Sequence, residues 1–108
     1  MTIFDFAMTH RLEQSKAIAS DSRLAILGWL SDPNTHFPHQ VTGNPSEIGV
    51  CVTLLSEKLA MAQPTVSRHL ELLSRAHFLK VEKIGRWSFF KRDEVAISDY
   101  KAWLNEHL

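Results

Sequence analysis

One cysteine, Cys51, cannot close an internal disulfide, so nothing in the thiol count points to an oxidising compartment and the fold must rest on burial. No apolar run approaches the roughly 20 residues of a membrane span. The start, Met1-Thr-Ile-Phe-Asp-Phe6, has no basic stretch ahead of an apolar one, as a secretory signal would. Only 4 glycines occur, and none forms a Gly-rich phosphate loop. A Ser/His/Asp string and a paired carboxylate site are missing as well, so the expectation is not an enzyme, with no cofactor. What remains is a chain of 108 residues with 44% apolar content, enough for one domain, 1–108, expected to be soluble and cytoplasmic.

Net charge is also zero, from 12 Lys+Arg against 12 Asp+Glu, which on its face argues against a nucleic-acid partner. The distribution says otherwise. Residues 1–62 hold 4 cations and 6 carboxylates, residues 63–92 hold 7 and 2, and residues 93–108 hold 1 and 4. A segment of +5 therefore lies between flanks of −2 and −3, and such asymmetry is what an electrostatic footprint for nucleic acid requires.

Periodicity supplies the elements. Phe4, Ala7, Met8, Leu12, Ser15 and Ala19 recur at helical steps and predict a first helix over about 4–19. Asp21 or Ser22 is expected to cap a second helix, Arg23–Leu30, which stops at Ser31-Asp32-Pro33. Residues 32–47, with Pro33, Pro38, Pro45 and Gly43, read as too broken for a regular element. Ile48–Val52 reads as a short edge strand, and Thr53 as the cap of a third helix, Leu54–Ala60. Pro64 suits the first position of a fourth helix with the apolar stripe Val66, Leu70 and Leu73. Phe78–Lys83 and Trp87–Lys91 alternate as two strands about a tight turn at Ile84-Gly85-Arg86. A last helix spans about 94–107.

Two short helices, 53–76, followed by a basic hairpin, 78–91, have the layout of a winged helix-turn-helix, a mainly α fold with a small β-hairpin. Opposite Val66 on the fourth helix stand Arg68, Glu71 and Arg75, with Ser67 alongside and Gln63 and Thr65 at the exposed start. That face can hydrogen-bond bases and phosphates. Lys83 and Arg86 flank the hairpin turn, where a wing meets the DNA backbone or minor groove.

The string Gln63-Pro-Thr-Val-Ser-Arg-His-Leu70, then Glu71-Leu-Leu-Ser-Arg-Ala-His-Phe-Leu79 and Gly85-Arg-Trp87, resembles the ArsR/SmtB family of bacterial repressors. Ala19-Ser-Asp-Ser-Arg-Leu-Ala-Ile-Leu27 is similar to the start of that family's second helix. The resemblance covers about 4–107 apart from the loop 32–47, and implies a homodimeric repressor of double-stranded DNA whose terminal helices, 4–19 and 94–107, dimerise and whose effector releases DNA. Three departures stand out. Many metal sensors of the family carry Cys-x-Cys before the recognition helix, whereas the positions here are Cys51 and Thr53. On the last helix Asp99 and His107 are present, but Lys101 replaces a histidine ligand, so no family metal site is carried over. His77 stands where relatives place the glycine that ends the recognition helix, and histidine tolerates the left-handed conformation needed there.

His36 and His39 in the broken loop, with Cys51 beyond it, are candidate zinc ligands by chemistry, against the plainer reading of solvent-facing histidines and a packed thiol. Phe4, Met8 and Leu12 on the first helix, with Tyr100, Trp103 and Leu104 on the last, exceed what a small core absorbs and mark a dimerisation surface. The expectation is a sequence-specific transcriptional regulator, a repressor that binds an inverted repeat as a homodimer, with the effector unidentified. The alternative is a winged-helix interaction module whose basic face binds an acidic protein partner.

Overall fold

The computed structural model describes residues 6–108. They form, in chain order, α1 (Phe6–Ile18), α2 (Asp21–Leu30), α3 (Pro33–His36), α4 (Pro45–Ile48), β1 (Val50–Cys51), α5 (Val52–Leu59), α6 (Gln63–Arg75), β2 (Leu79–Ile84), β3 (Trp87–Arg92) and α7 (Glu94–His107). Phe4 lies outside the described residues.

Helices begin where a side-chain oxygen can take an orphan amide. The cap of α2 is Ser20 rather than Asp21 or Ser22: its backbone is extended (φ −161°, ψ 131°) and its hydroxyl accepts from the Arg23 amide at 3.3 Å. Asp21 is already inside the first turn, where its carboxylate accepts from the Ser22 amide at 2.7 Å and meets the positive end of the helix. Thr53 is likewise no cap. Because β1 stops pairing at Cys51, the chain enters α5 at Val52 with Cys51 in the capping position. Pro64 is the second residue of α6, where its missing N–H is still one of the unbonded amides of the first turn.

The segment 32–47 is more ordered than its prolines imply. Pro33 and Pro45 each open a one-turn helix, since a fixed φ and an absent donor suit that position. Phe37 from this segment is buried in the core, with Trp29 edge-on at 6.5 Å. Lys58 on α5 lies 5.3 Å from the Trp29 ring and 5.4 Å from that of Phe37, and donates to the His36 carbonyl at 3.3 Å. Gln40 finishes the segment against the sheet. Its side-chain oxygen accepts from the Cys51 amide at 3.0 Å and its NH₂ donates to the Gly49 carbonyl at 2.9 Å.

The sheet is antiparallel, in the order β1-β3-β2. Val50 pairs with Phe90 on one side of β3, and Leu79 through Ile84 pair with Arg92 through Trp87 on the other. Gly85, at φ 62°, supplies the turn between Ile84 and Trp87. Gly49 is needed twice over: its φ is 96°, and a Cβ would come 2.6 Å from the Phe90 carbonyl oxygen.

The core collects Ile26 and Leu30 of α2, Leu55 of α5, Val66, Leu70 and Leu73 of α6, and Phe78 beyond it. The stripe expected on α6 is therefore the one that is buried. On α1 the inward side chains are Gln14 and Ala17, while Met8 and Leu12 are exposed. Gln14 donates to the Ala76 carbonyl at 3.2 Å, tying α1 to the C-terminal end of α6. Tyr100, expected on the outer surface with Trp103 and Leu104, is instead a core residue at 5% exposure. Its ring meets Phe78 edge-on at 5.3 Å and its hydroxyl hydrogen-bonds that of Ser15 at 2.8 Å.

Candidate nucleic-acid interface

The turn between α5 and α6 is made by Ala60 in the left-handed conformation (φ 55°), whose amide bonds the Glu57 carbonyl at 3.1 Å. This sharp reversal sets α6 across α5 with only Met61 and Ala62 between the turn and the new helix. Burial of Val66, Leu70 and Leu73 then fixes the rotation of α6, and with it the residues that face outward.

Gln63, Thr65, Ser67, Arg68, Glu71 and Arg75 are all exposed along that outer face. Gln63 is steadied by a hydrogen bond from its NH₂ to the Thr53 hydroxyl at 3.1 Å, so the first residue of α6 is held against α5. Further along, Glu71 sits between Arg68 at 3.2 Å and Arg75 at 2.9 Å. The two guanidinium groups thus share one carboxylate, which holds both on the same side of the helix. Their i, i+3 and i, i+4 spacing is the signal by which this pairing is readable from the sequence.

The far end of α6 closes as a Schellman motif. The His77 amide bonds the Ser74 carbonyl and the Phe78 amide bonds that of Leu73, each at 3.0 Å. His77 takes φ 66°, the left-handed conformation expected for it. Phe78 and Leu73 are both buried, the apolar contact that accompanies this ending. The chain thereby passes directly into β2 and the hairpin.

Lys83 and Arg86 are exposed near the tip of that hairpin. Arg86 lies over the Trp87 ring at 5.6 Å, and Ile84 and Trp87, a cross-strand pair, are themselves exposed. The central +5 segment thus meets solvent along the outer face of α6, at the tip of the hairpin and along β2, where Lys80 and Glu82 are also exposed.

A residue that periodicity did not single out organises the inner side of this region. Arg23, on α2, donates from Nε to the Ala17 carbonyl at 2.6 Å and from Nη2 to that of Lys16 at 3.5 Å. Its Nη1 contacts His69 Nδ1 at 3.0 Å. One guanidinium therefore joins the end of α1, the start of α2 and the middle of α6. Partial burial, and after it the facing Arg23 charge, pull the His69 imidazole below its ordinary value against a lesser opposite effect of Asp21. Because a guanidinium can only donate, His69 Nδ1 is the acceptor in this contact. Nothing in its own spacing marks this, because the contact spans 46 residues of chain.

The candidate zinc ligands do not come together. Among the described residues no three His, Cys, Asp or Glu side chains form a group able to hold a metal ion, so His36, His39 and Cys51 make no joint site. Cys51 is buried in β1, whereas His39 is exposed on the loop. No helix among the described residues is long and apolar enough to cross a membrane.

No family model matches the sequence. The uncharacterized HTH-type transcriptional regulator YbzH of Bacillus subtilis (strain 168) is 42% identical over 98 residues, which cover 90% of this chain and 97% of that protein. A second HTH-type regulator, from Methanocaldococcus jannaschii, is 31% identical over 75 residues, 69% of this chain and 68% of that one. Among solved structures, an ArsR family transcriptional regulator superposes with a TM-score of 0.69 at 23% identity, over 92% of this chain and 87% of the other. The homodimeric winged helix-turn-helix DNA-binding domain of a possible ArsR-family regulator from Mycobacterium bovis gives 0.64 at 18% identity, over 100% and 91%. The match to YbzH runs through both helices of the turn and the hairpin, and the architecture agrees with it: the chain belongs to the HTH-type transcriptional regulators, built on the winged helix-turn-helix fold of the ArsR proteins.

Proposed function

We propose that this regulator is a repressor that binds an inverted-repeat operator as a homodimer, with α6 in the major groove and the β2–β3 hairpin against the backbone or minor groove. The observation that carries the reading is the outward face of α6, polar at its start and cationic along its length, on a helix whose rotation is fixed by its buried stripe. Gln63, Thr65, Ser67 and Arg68 are the base-reading candidates, and Arg75, Lys83 and Arg86 the phosphate contacts. The homodimeric assembly of the Mycobacterium bovis neighbour supports pairing here, as do the exposed Met8 and Leu12 on α1 and the half-buried Trp103 and Leu104 on α7. Tyr100 supports this surface from beneath, its ring stacked on that of Trp103 at 6.2 Å.

The test is selection of bound duplexes from a random pool, followed by binding of the recovered site at several salt concentrations. Recovery of an inverted repeat, with affinity that falls steeply with salt, is the expected result. Retention on an acidic protein with no enrichment of any duplex overturns it in favour of the interaction-module reading.

A further inference from the structure

Between α2 and α7 the protomer leaves a cavity of about 370 Å³, within the range of roughly 300–1,000 Å³ that small-molecule sites occupy. Leu24, Leu27, Ile97 and Leu104 line it, and Leu24 is 53% exposed despite being apolar. Gly28 lines the same space, and a Cβ added there would meet nothing within 4 Å. A glycine inside a helix costs about 1 kcal/mol relative to alanine, so the open volume is kept at the expense of α2.

Two cations border the cavity. Arg92 is committed, since it pairs with Glu94 at 2.9 Å and donates to the Leu27 carbonyl at 3.0 Å. The Lys101 side chain is exposed and forms no ion pair or hydrogen bond among the described residues. An apolar chamber with one uncommitted ammonium at its border is complementary to a ligand that carries one negative charge on a hydrocarbon body.

We propose that this cavity binds a small carboxylate with an apolar body, paired through its carboxylate to Lys101, and that such a ligand is the effector of the protein. The effector role rests on the regulator reading above. Coupling has a short physical route, because Phe78 lines the cavity and ends α6 through its amide, while its carbonyl accepts from the Asp93 amide at 2.9 Å. One residue in contact with the ligand therefore joins α6 to the junction of β3 and α7. A ligand that favours one setting of that junction shifts DNA affinity by its differential binding.

The probe is octanoate, with 1-octanol as its uncharged counterpart, titrated into methyl-labelled protein and followed by NMR. Octanoate is expected to shift the Leu24, Leu27, Ile97 and Leu104 methyls saturably and to bind about fivefold more tightly than octanol, the worth of one ion pair of about 1 kcal/mol. Lys101→Met should remove that factor. Gly28→Leu should fill the chamber and abolish the shifts, with Gly28→Ala as the folded control that retains them. Absence of saturable shifts, equal binding of the two probes, or unchanged shifts in Gly28→Leu overturns the site. If the Leu24, Leu27 and Ile97 methyls shift in the same way on raising protein concentration alone, a second copy fills the cavity and the proposal falls; Leu104, which belongs to the proposed dimer surface, is left out of that control. Octanoate should also weaken binding of the selected duplex by the wild-type protein but not by Gly28→Leu, and an unchanged duplex affinity overturns the effector role. Saturable octanoate binding by a protein that binds no duplex leaves the site standing and overturns the regulator reading instead.

Discussion

Helices α1 and α6 are both 13 residues long and are built inside out with respect to one another. α6 turns Val66, Leu70 and Leu73 inward and its polar residues outward. α1 turns Gln14 and Ala17 inward and leaves Leu12 at 52% exposure. The first arrangement is stabilised by burial, and its outer face is free for recognition. The second is held by polar ties: Gln14 to the Ala76 carbonyl, Ser15 to Tyr100, and Arg11 to Asp99 at 2.9 Å and over the Trp103 ring at 5.5 Å. A helix so attached leaves its apolar area exposed and available to the proposed homodimer, where burial would be worth about 25 cal/mol per Å². Two helices of equal length thus divide the work: one positions itself from within, the other is left unfinished.

Four measurements test that contrast, ordered by expected size. Leu70→Ala empties a fully buried position of α6 and should lower unfolding free energy by about 2–5 kcal/mol in urea titration. A loss below about 1 kcal/mol would mean that α6 is not anchored by burial. Gln14→Ala leaves a carbonyl at the end of α6 without its donor and should cost about 1–3 kcal/mol, whereas a surface glutamine would cost almost nothing. The Arg23–His69 contact predicts a pH dependence. His69 is held below its ordinary value of about 6.5, so the unfolded chain takes up the proton first. Its contribution is therefore complete above that value and declines as pH falls towards the folded value. The slope should stay well under about 1.4 kcal/mol per pH unit, because the ring is only half-buried and solvent screens the guanidinium. His69→Gln should flatten the acid limb relative to the wild type, and identical profiles would remove the contact as its cause. Leu12→Ser should alter unfolding by no more than about 0.5 kcal/mol, yet sedimentation should show a weakened dimer. An unaltered dimer would move the interface off α1.

The same contrast explains what could be read from residue order. The stripe of α6, the hairpin about Gly85, the last helix and the left-handed His77 follow from short-range rules, and the structure agrees with each. The outer face of α6 follows in turn, since fixing three buried positions fixes the rest of a helix. Gln14 was not legible, because a glutamine looks like surface until its partner, 62 residues away, is known. Arg23 hides its role for the same reason. Pro33 and Pro45 mislead differently: as breakers they disfavour helix, but at a first turn they start one. The cap of α2 falls one residue before Asp21, since serine and aspartate at 20–22 compete for one role and only the backbone angles separate them.

Gln40 has a consequence for how two protomers can meet. A three-stranded sheet ends in two rows of unsatisfied amides and carbonyls, and any such row invites a neighbouring chain to extend the ladder. On the β1 side the Gln40 amide already occupies the outward donor and acceptor of Cys51 and Gly49, standing in for a strand one side chain long. On the β2 side Lys80, Glu82 and Lys83 are exposed, and the charges resist an uncharged strand. Growth by sheet extension, the open-ended route to filaments, is thus closed at one border by an amide and guarded at the other by charge. The proposed homodimer is thereby left to the helices, where a two-fold contact would close on itself and stop at two.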